Sequence, residues 1–268
     1  MNRLMFFLGV GALAAALGTP GALMAADRWE NNDNGPWQPG FTDNEMTPGS
    51  VQEHDMEGAD EDWIILSQRP YSSYEVRVDG MSDGLTLTTG SGDILAVDLV
   101  ESDGTVVATG YNMNPVAVDR RITFSNDTAT VNNDQQIRIS SAFCSPGCSA
   151  AGSGYTIRLF DTTYNVSRFN NAGSQTTVAI LQNSLDSSVS GTLHFFNPSG
   201  THLAGQSVSI NAHGVSVVNT PGVPGVAGVA GSMILTNTGG YGGLSGKAIA
   251  LEPSTGFTFD TLMTSRPQ

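Results

Sequence analysis

Apolar and polar residues alternate through much of the chain after residue 60. Residues 74–78 (Tyr-Glu-Val-Arg-Val) and 136–140 (Gln-Ile-Arg-Ile-Ser) follow this rule, which is typical of strands with one buried face. Turn-forming sequences such as Ser102-Asp103-Gly104 separate such runs. No segment keeps a helical period over ten residues. The pattern therefore predicts an all-β protein.

The predicted strands form two groups along the chain. The first group comprises residues 63–67, 74–78, 85–89, 94–100, 105–109, 121–124, 128–131, 136–140 and 155–160. The second group comprises residues 176–182, 189–196, 206–210, 215–218, 233–236, 247–251 and 257–262. Many short strands at close spacing predict two antiparallel β-sandwich domains of jelly-roll or immunoglobulin-like type.

Two segments lack this alternation. Residues 29–58 are rich in Asn, Asp, Gly and Pro, which predicts an extended lead-in outside any sheet. Residues 220–231 are rich in Pro and Gly, which excludes a central strand and predicts an extended, mobile loop. That loop is either a partner contact or a plain connection.

Charge divides the chain at the same place as the strand groups. Residues 27–162 contain 22 acidic and 7 basic residues, whereas residues 163–268 contain 3 of each. We therefore predict an acidic sandwich over 27–162 and a neutral one over 163–268. The net charge of -14 and the single lysine, Lys247, argue against nucleic acid and anionic membranes as partners. A protein or carbohydrate surface fits this composition better.

The first 26 residues have the pattern of a signal peptide. Arg3 precedes an apolar run over 4–17, and Ala25-Ala26 offers small residues for cleavage. A retained anchor is the alternative, but the run is shorter than the ~20 residues that span a bilayer. No second run of that length follows. We expect an exported protein, periplasmic, cell-surface or extracellular, without a transmembrane span in its mature form.

The two cysteines, Cys144 and Cys148, lie in the sequence Cys-Ser-Pro-Gly-Cys. In an exported protein this spacing predicts a disulfide that closes a small loop. A metal site is the alternative, and it would require further soft ligands nearby.

An acidic cluster marks the start of the first predicted strand. The sequence Gly-Ala-Asp-Glu-Asp over 58–62 leads directly into Trp-Ile-Ile-Leu over 63–66, and Glu-Asn-Asn-Asp-Asn over 30–34 precedes it. Carboxylate and amide oxygens that converge at such a place suit calcium. A solvated acidic surface is the alternative interpretation.

These acidic segments, together with Asp93 to Gly104 and the Gly-Tyr-Thr-Ile-Arg-Leu of 154–159, resemble the bacterial pre-peptidase C-terminal domain. The resemblance covers about half of the chain, 27–162, and implies a β-sandwich of the kind often appended to secreted proteases. It also implies one structural calcium ion, shared by Glu30, Asn32, Asp33, Asp60 and Asp62. The second half resembles no family that we can name.

Catalytic motifs are missing from the sequence. The four histidines lack metal-ligand spacing, and no Gly-x-Ser-x-Gly sequence occurs. Trp37, Tyr71 and Tyr111 lie in or near predicted loops, where they could stack on sugar rings or flat apolar groups. We expect Trp63 in the core.

These observations favour an exported, non-catalytic binding or structural protein that is stabilised by calcium. The alternative is an accessory or substrate-recognition subunit of a secreted protease or other hydrolase.

Overall fold

The structure is a computed structural model that describes residues 44–55, 61–79, 96–112, 120–140 and 154–268. Within these ranges the regular structure is β-strand apart from one 3-10 turn at Thr220–Gly222, which confirms the all-β prediction. The strands in chain order are β1 (Glu45–Met46), β2 (Val51–Asp55), β3 (Glu61–Leu66), β4 (Ser72–Asp79), β5 (Ala96–Glu101), β6 (Val106–Thr109), β7 (Tyr111–Asn112), β8 (Arg120–Asn126), β9 (Gln135–Ser140), β10 (Gly154–Asp161), β11 (Tyr164–Asn170), β12 (Thr176–Asn183), β13 (Val189–Phe196), β14 (His202–Ile210), β15 (Val215–Asn219), β16 (Ala230–Asn237), β17 (Leu244–Glu252) and β18 (Phe257–Ser265).

Strands β1 to β10 form two five-stranded sheets, which we call the N-terminal sandwich. One sheet has the order β1-β3-β9-β5-β6 and the other β2-β10-β4-β8-β7. Strand β1 pairs with β3 in parallel, and the other described pairs are antiparallel. Alternate residues of the two sheets point inward and form one buried apolar core, which includes Ile64, Val76, Ile139 and Ile157.

Strands β11 to β18 form an eight-stranded sheet with the order β14-β13-β16-β11-β18-β17-β12-β15. The sheet folds over its own core, which includes Phe169, Leu181, Phe195 and Leu235 from four different strands. Its edge strands β14 and β15 come close to each other. We call this unit the C-terminal sandwich. The change from one set of sheets to the next falls at Thr162 and Thr163, between β10 and β11.

Three predictions about local structure were wrong within the described residues. Part of the 29–58 segment, expected to lie outside any sheet, contains β2, which pairs with β10 from Val51 to Asp55. Residues 128–131, expected as a strand, form bends instead. The Asn126 side chain holds this turn, because its amide donates to the carbonyl of Thr130 and its carbonyl accepts from the amide of Thr128.

The Pro- and Gly-rich segment 220–231 is not the extended loop that its composition predicts. It forms a series of tight turns in which Val223 and Val226 enter the core of the C-terminal sandwich. The Asn171 side-chain amide donates to the carbonyl of Val226 at 3.2 Å. Burial of these two valines is favourable, and it holds the turns against the C-terminal sandwich although Val223 and Val226 belong to no strand.

Buried polar contacts join the two sandwiches. Glu75 on β4 is fully buried, and its carboxylate accepts from the backbone N–H of Tyr241 at 2.6 Å and from Arg77 at 3.0 Å. The guanidinium of Arg121 lies 3.9 Å from the same carboxylate. A Cβ at Gly240 would lie 2.6 Å from the Arg121 guanidinium, which would have to move to accept it. We call this group the Glu75 contact.

Two buried tyrosines give the fold a dependence on alkaline pH. Tyr74 accepts the Arg69 backbone N–H, Tyr164 accepts that of Leu244, and burial is the largest cause that raises the pKa of each phenol. Their contribution to stability is complete below about pH 10, where unfolded tyrosine ionises, and is lost as pH rises through the higher folded values. We therefore expect unfolding and tyrosinate absorbance to rise together above about pH 10. Tyrosinate absorbance of Tyr74 and Tyr164 in a protein with unchanged circular dichroism would contradict this expectation.

Candidate functional site

Asp62 lies inside the N-terminal sandwich and not on its surface. It shares the inward-facing side of β3 with Ile64 and is fully buried. One carboxylate oxygen accepts a short hydrogen bond from the Tyr155 hydroxyl, and the other lies 3.4 Å from Nδ1 of His54. The His54 ring stacks on Tyr155 at 5.3 Å, and its Nε2 lies 3.0 Å from the Gln52 amide oxygen. Since β2 and β10 belong to the opposite sheet, this network ties the two sheets together.

The calcium prediction is only partly covered by the described residues. Glu30, Asn32, Asp33 and Asp60 lie outside them, and Asp62 is bound to protein groups through both of its oxygens. In the described ranges no group of three His, Cys, Asp or Glu side chains is placed to hold a metal ion. A calcium ion at the start of β3 stays a prediction. The same holds for the Cys144 and Cys148 disulfide, which also lies outside the described ranges.

The three aromatic residues predicted as ligand contacts, Trp37, Tyr71 and Tyr111, do not form a common site in the described part of the chain. Tyr71 has a positive φ of 49° and lies between the sandwiches, with its ring stacked on His202 at 4.8 Å and edge-on to Phe196 at 5.1 Å. Tyr111 belongs to the short strand β7, and Trp37 lies outside the described residues. Trp63 is buried as expected, beneath the Arg138 guanidinium at 5.7 Å.

Three groups beside Tyr71 form a hydrogen-bonded row between the sandwiches, which we call the Asp127 row. Asp127 Oδ1 lies 3.2 Å from Nε2 of His194, whose Nδ1 lies 3.3 Å from Nε2 of His202. The hydrogen bond with His194 is the largest cause that lowers the pKa of Asp127. Burial, followed by the charge of His194, lowers the pKa of His202. The Thr236 hydroxyl also belongs to this contact, since it lies 3.3 Å from Nε2 of His194 and donates to Asp127 Oδ1 at 2.6 Å.

An apolar surface covers the opposite side of the C-terminal sandwich. On β12, Ala179 and Leu181 point into the core, so Val178 and Ile180 point outward. Strand pairing aligns them with outward residues of the neighbouring strands, such as Val217 opposite Ile180. We define the aliphatic face by seven side chains: Val178, Ile180, Val215, Val217, Ile249, Leu251 and Leu262.

The aliphatic face is well exposed to solvent. Val215 is 58% exposed, Val217 62% and Leu262 70%. One ion pair crosses it, between Lys247 Nζ and Asp260 at 2.6 Å. Contiguous apolar surface of this kind usually marks a binding site, whereas single exposed apolar residues do not.

An open edge of β18 borders the aliphatic face. Strand β18 pairs with β17 over Phe257–Leu262, but with β11 only over Met263–Ser265. No described strand pairs with its other edge over Phe257–Leu262. Phe257 and Phe259 pair with Glu252 and Ala250, so they lie on the opposite side of the sheet from the aliphatic face. Both are exposed, and the Arg168 guanidinium lies 5.7 Å from the Phe259 ring. An open edge next to an apolar face can accept an added strand.

Neither the aliphatic face nor the Asp127 row was recognised from sequence. Strand β12 is apolar on both faces, so its alternation does not reveal which face is buried. His194 and His202 are eight residues apart, which is no standard ligand spacing, but the hairpin of β13 and β14 brings them together. The Asn-Pro-Ser-Gly turn over 197–200 was the available signal for this hairpin.

Comparisons with known proteins identify no family. No family model matches the chain, and no curated protein matches it in sequence. A "putative secreted protein" from Eubacterium rectale has a TM-score of 0.24 and 7% identity, with 81% of this chain and 74% of that chain covered.

Two further solved structures are similarly distant. The extracellular region of zebrafish Gpr126/Adgrg6 has a TM-score of 0.27 and 7% identity over 84% of this chain and 33% of that chain. The β-glucuronidase of Bacteroides uniformis has a TM-score of 0.21 and 10% identity over 78% of this chain and 26% of that chain. This chain thus spans about a third of the Gpr126/Adgrg6 structure and about a quarter of the β-glucuronidase. Likenesses at this level carry no argument about function.

No helix in the described ranges is long and apolar enough to cross a membrane.

Proposed function

We propose that this chain is an exported, non-catalytic binding protein that recognises a protein partner through the aliphatic face. The observation that carries the proposal is the row of aliphatic side chains on the outer side of β12, β15, β17 and β18. Burial of such side chains against a partner is favourable by about 25 cal/mol per Å² of apolar surface.

The partner's chemistry follows from the side chains of the face. Sugar rings stack on aromatic side chains, whereas this face is built from Val, Ile and Leu. The adjoining open edge of β18 offers backbone groups to an extended segment. The occupant is therefore a protein with an extended segment that pairs with β18 beside Leu262, and with an apolar surface that covers the rest of the face.

Charge supports this choice of surface. Residues 163–268 carry three acidic and three basic residues, whereas most of the chain's acidic residues lie before them. An acidic sandwich stays solvated and discourages self-association, and the neutral one approaches a partner without electrostatic cost. Export rests on the signal-peptide pattern of residues 1–26, and structural calcium rests on the acidic residues before β3.

A non-catalytic role is also supported by the chemistry of the two histidine–carboxylate pairs. His54, beside Asp62, contacts the Gln52 amide, and His194, beside Asp127, contacts His202 and the Thr236 hydroxyl, which donates to Asp127. Both serve packing between sheets or between sandwiches. In the alternative function, as a substrate-recognition subunit of a secreted hydrolase, the same face would bind the hydrolase.

Selection of displayed random peptides on the purified protein tests this proposal. We expect enriched peptides to carry alternating aliphatic residues and to lose at least tenfold in affinity for Leu262→Asp, because the new carboxylate must be desolvated in the interface beside the β18 edge. The matched control is Val131→Asp, which changes a 52% exposed valine of the N-terminal sandwich and should leave affinity unchanged.

Peptides that bind Leu262→Asp and the unsubstituted protein equally well would contradict the proposal. Enrichment of sugars in a parallel glycan screen, with no peptide enriched, would also contradict it. Sedimentation of the unliganded protein as a dimer that Val217→Asp dissociates would identify a second copy as the occupant instead.

A further inference from the structure

Two histidine nitrogens face each other in the contact between the sandwiches. His194 on β13 is buried, His202 on β14 is exposed, and both lie on the outer side of the C-terminal sandwich. An irregularity in the β13–β14 pairing sets Phe196 opposite His202 and brings the two imidazoles to the same place. His194 Nδ1 and His202 Nε2 are 3.3 Å apart.

Hydrogen bonds fix where the proton of His194 lies. The Thr236 hydroxyl donates to Asp127 Oδ1 at 2.6 Å, so its proton is already used. Nε2 of His194 lies 3.2 Å from the same carboxylate oxygen. In its neutral form, which is the form that binds a metal ion, the ring therefore carries its proton on Nε2 and donates it to Asp127. Nδ1 is left with a lone pair that points at His202.

The separation of the two nitrogens fits two ligands of a tetrahedral metal ion. Nitrogens that are each about 2.0–2.1 Å from zinc lie roughly 3.3–3.4 Å apart at the tetrahedral angle, and only about 2.9 Å apart at a right angle. The observed 3.3 Å matches the tetrahedral arrangement. The same distance suits an N–H···N hydrogen bond, which a metal ion would replace.

We propose that His194 Nδ1 and His202 Nε2 bind one divalent transition-metal ion, zinc, between the two sandwiches. Asp127 would act as the outer partner that orients a metal-bound histidine, since ligating histidines usually donate their second N–H to a carboxylate. No third His, Cys, Asp or Glu completes the group within the described ranges, so water fills the remaining positions. Because His202 is exposed, the ion reaches the site without any opening of the fold.

The surroundings hold both rings in place for a ligand. Tyr71 from the N-terminal sandwich stacks on His202 at 4.8 Å and lies 4.9 Å from the His194 ring. Gly205, opposite His194 in the hairpin, leaves space beside Nδ1. The site is assembled from both sandwiches, and it shares no residue with the aliphatic face.

Zinc titration of the purified full chain by calorimetry tests the proposal. We expect one zinc ion per chain, binding that calcium does not displace, and tetrahedral absorption bands when cobalt replaces zinc. His202→Ala removes an exposed ligand without disturbing the core and should abolish binding. Asp127→Asn should weaken binding by about 10- to 100-fold, as loss of an outer partner does.

Two controls separate this site from other zinc-binding groups. His213→Ala removes an exposed histidine that pairs with Asp186 at 2.9 Å, and it should leave zinc affinity unchanged. A Cys144→Ser and Cys148→Ser double variant should also keep the site. Absence of zinc binding below millimolar concentration, or binding that survives His202→Ala, would overturn the proposal.

Discussion

Asp62→Ala is expected to lower the free energy of unfolding by about 3 kcal/mol, because the substitution removes a fully buried carboxylate together with both of its contacts to the opposite sheet. The partners here are the Tyr155 hydroxyl and the His54 ring, which reach Asp62 from the opposite sheet. Tyr155→Phe removes only one hydrogen bond to the carboxylate and should cost about 2 kcal/mol. Denaturant unfolding followed by circular dichroism measures both values.

The control for Asp62 is Asp186→Ala, which removes a fully exposed carboxylate. It should change stability by no more than about 0.5 kcal/mol. The loss in Asp62→Ala should be the same in calcium and in chelator, because neither Tyr155 nor His54 needs an ion to reach the carboxylate. A loss that disappears in chelator would instead assign Asp62 to a calcium site. A calcium-dependent rise in Tm that Asp60→Ala removes would support the predicted ion.

Glu75→Ala is expected to have a similar effect, with a loss of about 3 kcal/mol, and to uncouple the two sandwiches. The carboxylate is fully buried and holds Arg77 of its own strand as well as the Tyr241 backbone of the other sandwich. The Tyr241 ring also stacks on Phe160 of the N-terminal sandwich at 5.0 Å, and this contact requires the two sandwiches to stay together. Without the Glu75 contact, the sandwiches should unfold as separate transitions in scanning calorimetry.

Glu53→Ala serves as the control for the Glu75 contact, since Glu53 is exposed on the neighbouring region of the same sheet. It should leave one cooperative transition and an unchanged Tm. A single transition in Glu75→Ala, at the Tm of the unsubstituted protein, would show that the sandwiches are coupled by other contacts.

The sequence predicted where a strand lies more reliably than which of its two faces is buried. The predicted strand at 189–196 coincides with β13, because its apolar run is bounded by a serine pair and an Asn-Pro turn. In β3 both alternating sets are apolar beyond Asp62, so the sequence does not reveal that Asp62 shares a face with Ile64. From sequence, Asp62 was expected to face solvent or bind an ion, because it precedes an apolar run. In the structure it is buried between the two sheets of the N-terminal sandwich.

The candidate surfaces depend on pairing between distant strands, which the sequence does not specify. The aliphatic face requires β15 and β17 to lie on either side of β12, and the open edge requires β18 to part from β11 after three residue pairs. The Asp127 row requires contact between the two sandwiches. Local alternation carries no information on any of these three arrangements.

Hydrogen exchange with a selected peptide tests the location of partner binding most directly. In the protein alone, alternate amides of Phe257–Leu262 point away from β17 and should exchange rapidly, whereas amides of β12 and β17 should be protected. When the peptide is bound, we expect the amides of this edge to become protected because the peptide adds a strand. Protection confined to the N-terminal sandwich, with the β18 edge still exchanging rapidly, would contradict the account.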